Sequence, residues 1–441
     1  MSSSAPTPDT AEPDPLISWH AVALPEFSGG NELRLLRGGD ELFPAQIAAI
    51  HAATHEVWIA TYIFHHDSAG AELAAALRAA AARNVRVRVV VDGFGSKASM
   101  AWLREQLADS GVALAVFRPI DRWWRWLQPG QLRRLHQKLC VVDGVQAFVG
   151  GINIIDDRMD LNHGPTDEPR LDYAVSVCGP AVQPVAQAAR AVWTRAWLGR
   201  DFGEELRALV RSPEPIARLR RLARRLRMPR NRYRRNSPQQ QKRREQELPP
   251  VCAAFVLRDN LRQRRTIERS YIDAIRAARD QVDLITPYFY PGHGFRRALR
   301  DAARRGVRVR LLLQGKLDYR IAGMAAQALY AELLGHGVQI YEYTPAYLHA
   351  KVGVVDEDWA TVGSSNIDPL SLLLNLEANV VVHDAPFARS VAAEFEAALA
   401  VSRRVDMREL GGGGLRGVLR RALVAWAAYV YLRVAGATGR Y

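Results

Sequence analysis

The chain has 441 residues, a formal net charge of +14, and 48% apolar against 24% charged residues. That balance excludes a disordered or fibrous chain and allows two sizeable folded lobes. Its three cysteines, Cys140, Cys178 and Cys252, are scattered and odd in number; they exclude a disulfide framework, point to a reducing compartment, and lack metal-ligand spacing.

Residues 1–30 open with a Ser-, Pro- and Asp-rich stretch without the apolar core of a signal peptide, and read as a disordered tail. A first lobe follows over residues 31–204. IHAATHEVWIATYIF (50–64) and AAARNVRVRVVVDG (80–93) predict helix, strand, helix, strand. Trp123, Trp124 and Trp126 then form an aromatic cluster suited either to lipid or to a substrate entrance. Next comes HQKLCVVDGVQAFVGGIN (136–153). His136 and Lys138 are two apart, so on extended chain both side chains leave the same face. The apolar run LCVV reads as a buried strand ended by the turn DG, with Cys140 as a small buried hydrophobe. AFVGG then returns, bringing Gly151 and Asn153 beside the His and Lys; small residues let backbone N–H groups approach a phosphate.

Residues 205–250 read as an Arg-rich linker. Between Arg207 and Glu247 there are fifteen basic and three acidic residues, which is +12 of the total +14. Within it Ile216, Leu219, Leu222 and Leu226 recur at helical spacing among arginines, as in a basic amphipathic helix for a membrane surface. A solvated linker and a nucleic-acid patch are the competing readings.

The second lobe, residues 251–405, repeats the first. IRAARDQVDLITPYF (275–289) and DAARRGVRVRLLLQG (301–315) match the segments above, and HAKVGVVDEDWATVGSSN (349–366) repeats the motif with its spacing unchanged. The last segment, 406–441, has a GGGG hinge and an uninterrupted apolar run from Ala422 to Leu432. That run is about half the roughly 20 residues needed to span a bilayer. Flanking arginines and Trp426, Tyr429 and Tyr431 suit an interfacial position, with docking on the core as the alternative.

A lone His or Lys on a strand is most often structural or solvated. Two identical His/Lys patterns more than 200 positions apart are not explained that way, and they point to phosphodiester chemistry: a nucleophile, an acid, and positive charge for the nonbridging oxygens. Asp143 and Asp356 close the two motifs at strand ends, where a turn or ion-pair role competes with contact to substrate.

The paired HxKx4Dx6G(G/S) motifs resemble the phospholipase D superfamily, and TYIFHHDSAG, GGINIIDD, PYFYPG, LLQGKLDY and WATVGSSNIDPLSLLLNLEANVVV resemble its cardiolipin synthase branch. The resemblance implies an α/β fold of two similar lobes, each a mixed sheet flanked by helices, with the active site at the lobe interface. It implies a catalytic set of His136, Lys138, Asp143, His349, Lys351 and Asp356, with His136 as nucleophile and His349 as acid and base. Asn153, Asn366, Ser364 and Gly151 would hold the phosphate. Asp172 and Glu377, acidic residues in apolar strands, would orient the histidines. No metal or other cofactor is implied, because the lysines supply the charge. The implied reaction moves a phosphatidyl group from one phosphatidylglycerol to another and releases glycerol, at an anionic phospholipid membrane. A nucleic acid is the disfavoured substrate, of a nuclease-like phosphodiesterase. The membrane-spanning N-terminal helices of some members are not found, so a peripheral protein at the cytoplasmic face of the cell membrane is expected.

Overall fold

The computed structural model describes residues 25–119, 133–161, 164–210, 248–258, 265–316, 329–367 and 375–410, with isolated positions between 217 and 263. In the first half the chain runs β1 (Glu32–Arg37), α1 (Gly38–Ala52), β2 (Glu56–Thr61), α2 (Ser68–Ala82), β3 (Arg86–Asp92), α3 (Met100–Leu107), β4 (Ala113–Phe117), β5 (Arg134–Leu135), β6 (Lys138–Val142) and β7 (Gln146–Gly150). A short hairpin, β8 (Met159–Asp160) and β9 (Gly164–Pro165), precedes β10 (Tyr173–Cys178) and the long α4 (Val182–Val210). The seven-stranded sheet has the order β1-β10-β7-β6-β2-β3-β4. The neighbours β2–β3 and β3–β4 pair in parallel, each joined by a helical crossover, and the other neighbouring pairs are antiparallel.

The second half builds β11 (Cys252–Arg258), α5 (Thr266–Ala277), β12 (Gln281–Thr286), α6 (His293–Arg304), β13 (Arg308–Gln314), β14 (Gln339–Tyr343), β15 (Val352–Val355), β16 (Trp359–Gly363), β17 (Asn375–His383), α7 (Ala385–Ala400), β18 (Ser402–Arg404) and α8 (Met407–Leu410). Its sheet order, β11-β17-β16-β15-β12-β13-β14-β18, repeats the first strand for strand and adds β18 at the edge. The duplicated sequence thus yields a duplicated two-lobed mixed α/β fold.

Central strands such as EVWIAT in β2 and VGVV in β15 are buried at every position, which is why they read as apolar runs rather than alternating ones. Each sheet buries its outer face under its own helices. Around Ile50, Leu73, Leu77 and Leu103 lies the outer core of the first lobe, and around Ile275, Leu284, Leu299 and Leu311 that of the second. The inner faces share one core, to which α4 contributes Val182, Val185, Ala189, Val192 and Trp193 at helical spacing, and α7 contributes Phe387, Val391 and Phe395. Across this interface the Tyr173 hydroxyl donates to Glu394 at 3.1 Å.

Two expected boundaries shift. Residues 25–30 are not part of a free tail: Ser28 forms a bridge with Ala253, and Gly30 N–H donates to the Pro250 carbonyl at 2.9 Å. Buried Asn31 knots the region, its Nδ2 donating to the carbonyls of Ser28 (2.8 Å) and Val251 (3.0 Å) while its Oδ1 accepts from Ala181 N–H (2.8 Å). Helix α4 also continues to Val210, beyond the expected lobe end at 204. In the basic linker the described positions Ala217, Leu222, Ala223, Arg224 and Leu226 are helical, with Leu222 and Leu226 half-buried, and Arg195 donates to the Leu226 carbonyl at 3.2 Å. Ile216, Leu219, the Trp123–Trp126 cluster and the apolar run Ala422–Leu432 lie outside the described residues. Among the described residues, no helix is long and apolar enough to cross a membrane, and the three cysteines are free.

Replacing Asn31 with Ala leaves the buried Ala181 N–H unpaired and removes the side-chain bonds to the Ser28 and Val251 carbonyls. The variant is expected to lose about 2–3 kcal/mol of stability, read as a lowered midpoint in urea unfolding with an unchanged slope.

Candidate active site

Each motif enters the site through a short extended segment just before its strand. In the first lobe β5 leaves its own sheet and pairs in parallel with β17 of the second, Leu135 opposite Leu376, so that His136 N–H donates to the Leu376 carbonyl at 3.0 Å. The second lobe answers in kind. Leu171 bridges to Leu348, and its carbonyl accepts the N–H groups of His349 (2.9 Å) and Ala350 (3.0 Å). The backbone of each motif histidine is therefore held by the strand segment that carries the other lobe's carboxylate.

The side chains follow the same exchange. His136 Nδ1 lies 3.0 Å from Glu377 Oε2, and His349 Nδ1 lies 2.7 Å from Asp172 Oδ2. Both carboxylates are buried, Glu377 wholly, and both belong to the opposite lobe. With each Nδ1 engaged, each Nε2 is left for chemistry. Lys138 and Lys351 are buried beside them; Lys138 Nζ donates to its own motif's His136 carbonyl at 2.8 Å, and Lys351 Nζ does the same to His349.

The two half-sites differ electrostatically. Glu377 accepts a 2.5 Å hydrogen bond from the Ser364 hydroxyl. Burial pushes its carboxyl up, but the charges of His136 and Lys138 and the bonds from His136 and Ser364 outweigh burial and hold it below the usual carboxylate range. Asp172 has no such hydroxyl, because Gly151 stands where Ser364 stands in the other copy. Burial therefore pushes Asp172 up to about 7, against the opposing pull of Lys351 and the Tyr173 N–H. Burial also lowers both histidines; Glu377 resists the shift at His136, while Lys351 and Lys138 deepen it at His349. Lys138 is brought down to about 7 by burial, with Glu377 opposing and Lys351 adding.

Two half-buried histidines, each with a buried carboxylate and a buried lysine, are the kinds of group that phosphodiester exchange through an imidazole requires. Two stretches of the chain, residues 46–164 and 271–399, match the family described as cardiolipin synthase, PLD-like domain. The chain belongs to the cardiolipin synthase branch of the phospholipase D superfamily. It is 38% identical to cardiolipin synthase B of Escherichia coli over 362 residues, covering 82% of this chain and 79% of that protein. Cardiolipin synthase A of Pseudomonas fluorescens is 33% identical over 365 residues, 82% of this chain and 67% of its own. Among solved structures, a phosphatidylserine synthase from Haemophilus influenzae shares the fold with a TM-score of 0.60 at 13% identity, over 92% of this chain and 95% of that one.

Within this cardiolipin synthase-type fold, two expectations from the motif are revised. Asp143 and Asp356 do not reach the pocket. Asp143 follows Lys138 by the length of β6, about 16 Å at the usual strand rise. Its carboxylate caps backbone N–H groups of Thr54, His55 and Glu56 at 2.7–2.8 Å. Asp356 does the same for Arg279, Asp280 and Gln281. Both sit at φ +52°, a left-handed turn that Asp tolerates. The phosphate role expected of Gly151 and Ser364 also fails on geometry. Their N–H groups are taken by the carbonyls of Tyr173 (3.0 Å) and Ala378 (2.9 Å). Gly151 instead makes room for a carboxylate: a Cβ there would sit 2.3 Å from Asp172 Oδ1. Asn153 and Asn366 remain near the motifs. The Oδ1 of Asn153 accepts from Ile63 N–H at 3.3 Å, and among the described residues the buried Oδ1 of Asn366 has no partner.

Three supporting residues escaped the motif-based reading. Asp92, wholly buried at the end of β3, accepts Leu135 N–H at 2.8 Å, and Gln314 at the end of β13 accepts Leu348 N–H at 2.7 Å. Each fixes the residue just before a motif histidine. Their signal was a polar residue closing each of two matching apolar strands, VRVVVD and VRLLLQ. The Tyr62 ring, in turn, lies 5.1 Å from the His136 ring and 5.6 Å from Lys138 Nζ.

The two kinds of carboxylate are expected to separate in mutants. Asp143→Asn or Asp356→Asn should lower unfolding stability by about 1–2 kcal/mol while kcat stays within about threefold. Glu377→Gln should lower kcat by about 100-fold or more, and because it leaves buried Lys138 without a counter-charge it should lower the urea midpoint as well. A comparable loss of kcat in Asp143→Asn would return that residue to the chemistry.

Proposed function

We propose that the chain is a cardiolipin synthase that moves a phosphatidyl group between two phosphatidylglycerol molecules through a phosphohistidine on His136. The observation that carries this reading is the pair of histidines whose Nδ1 atoms are tied to carboxylates of opposite lobes. An ionised Glu377 keeps the His136 proton on Nδ1, which leaves a lone pair on Nε2 for phosphorus. Asp172, with its carboxyl near 7, is able to hold a proton against Nδ1 of His349. That places the His349 proton on Nε2, where a leaving alkoxide needs it.

In the first step the His136 Nε2–phosphorus bond forms, the bond from phosphorus to the glycerol oxygen breaks, and the glycerol leaves with the proton of His349. In the second, His349 takes the proton of the terminal hydroxyl of another phosphatidylglycerol. That oxygen attacks phosphorus and the His136–phosphorus bond breaks. Lys138, Lys351 and the amides of Asn153 and Asn366 hold the nonbridging oxygens, where charge grows in each transition state. Peripheral attachment at the cytoplasmic face of the membrane is part of this proposal, supported by the basic run between Arg207 and Glu247, which suits an anionic lipid surface.

Incubation of the purified protein with phosphatidylglycerol vesicles, followed by lipid mass analysis, should yield cardiolipin and glycerol. His136→Ala and His349→Ala should each abolish it. A wild type that forms no new phospholipid yet cleaves DNA or RNA would overturn the reading. With an activated substrate whose leaving group needs no acid, His349→Ala should accumulate a phosphatidyl group covalently bound to His136, detectable by peptide mass.

The pH profile follows from the buried groups. As pH rises through about 7, Lys138 loses its positive charge and Asp172 gains a negative one. Both changes weaken the hold on an anionic phosphodiester, so kcat/KM is expected to fall on the alkaline side of about 7. A profile that instead rises across pH 6 to 9 would contradict this assignment.

A further inference from the structure

The two half-sites are built on one frame, yet one rim carries charge that the other lacks. At the carboxyl end of β4 the Phe117 carbonyl accepts Gly93 N–H at 2.8 Å, and at the equivalent end of β14 the Tyr343 carbonyl accepts Gly315 N–H at 2.9 Å. That match aligns Arg118 with Thr344. Counting back from the two histidines aligns Arg133 and Arg134 with Ala346 and Tyr347. The first lobe thus places three arginines where the second places none. Among the described residues, the second lobe's cation nearby, Lys316, is turned onto the Pro345 carbonyl at 2.9 Å.

The arginines are drawn together by their own backbone. Arg134 donates to the Arg118 carbonyl at 3.2 Å, and Arg118 donates to the Arg133 carbonyl at 3.5 Å. Asp92 lies against Arg134 at 3.4 Å but already accepts three backbone N–H groups. Among the described residues, neither Arg118 nor Arg133 forms an ion pair with a carboxylate, and both are half-buried. Burial and the neighbouring charges of Arg133, Arg134 and Arg195 bring Arg118 down to about 10, against the pull of Asp92. Arg118 also has a φ of +49°, an uncommon conformation for a side chain of that size and one found at ligand clamps. Half-buried like charges held together at a conformational cost are stabilised most directly by an anion between them.

Position indicates which anion. Arg134 and His136 are two residues apart on extended chain, so they leave the same face about 7 Å apart. Arg118, whose carbonyl is bonded by Arg134 and whose guanidinium bonds the Arg133 carbonyl, is thus tied to the segment that carries His136. An acceptor phosphatidylglycerol brings a second phosphodiester that does not react, separated from the attacking oxygen by a three-carbon bridge. We propose that Arg118 and Arg133 form the subsite for this second phosphodiester, so that the acceptor lipid docks on the first lobe's rim. The proposal rests on the transfer reaction above, and it makes acceptor choice a property of the rim rather than of the histidines.

Acceptors with and without a phosphate separate the two. Wild type and the Arg118→Gln/Arg133→Gln double variant would be given phosphatidylglycerol vesicles, with and without excess ethanol, and both cardiolipin and phosphatidylethanol measured. Cardiolipin formation in the variant should fall about 10-fold or more, the loss expected from two charge-assisted contacts. Phosphatidylethanol formation, which needs no acceptor phosphate, should stay within about twofold. Lysine at both positions should restore most of the cardiolipin. Equal loss of both products, or no loss of cardiolipin, overturns the subsite alone. A wild type that forms phosphatidylethanol but no cardiolipin overturns the reaction assignment and the subsite with it. Should the double variant fail to fold, Arg133→Gln alone gives the same comparison, because it is the Arg133 carbonyl that Arg118 binds.

Discussion

Two His–carboxylate hydrogen bonds cross the interface between the sheets, His136 to Glu377 and His349 to Asp172, and the surrounding structure answers the difficulty of burying them. Taking an ion out of water carries an effective penalty of several kcal/mol unless partners replace the solvent. Here Glu377, Asp172, Lys138 and Lys351 are all buried within one interface. Each is tolerable only with the others in place, so the sheets must meet in a single register. The parallel pairing of β5 with β17 and the Leu171–Leu348 bridge set that register through the backbone, before any side chain is considered. Packing of α4 and α7 into the shared core then makes it permanent.

On this symmetric frame the sequence has diverged at a few points, each of which changes the electrostatic surroundings of one half-site. Ser364 against Gly151 decides whether a carboxylate receives a hydroxyl proton. Asp92 against Gln314 places a charge or a neutral amide behind the strand that carries a histidine, while both accept the same kind of backbone N–H. Arg118 against Thr344 charges one rim. A reaction that uses one histidine to attack and the other to move protons needs such inequality, and duplication alone cannot supply it.

Much of this organisation was legible in the sequence, and the limits have physical causes. Spacing within one segment reports the face on which a side chain lies, so the shared face of His136 and Lys138 and the repeated order of helices and strands could be read directly. Spacing does not report how far a strand carries the chain from the pocket. Asp143 and Asp356 belong to the motif but stand a strand's length away, where they close turns. The role of Gly151 was hidden for another reason: its smallness serves a carboxylate from a neighbouring strand, Asp172, and not a ligand. The exchange of Asp172 and Glu377 between lobes depends on how two sheets pack, a relation that no local pattern encodes. Asn31, an ordinary polar residue at the start of β1, gives no local sign that it ties three segments together.

The bridge between Ser28 and Ala253 lies on β11, the outermost strand of the second sheet. A terminal strand presents unpaired N–H and C=O groups that invite another chain to extend the sheet. By laying its own leading segment there, the protein shields part of that edge against self-association. The same few residues place the beginnings of the two lobes side by side, so an alteration ahead of β1 would be felt as stickiness of the other lobe.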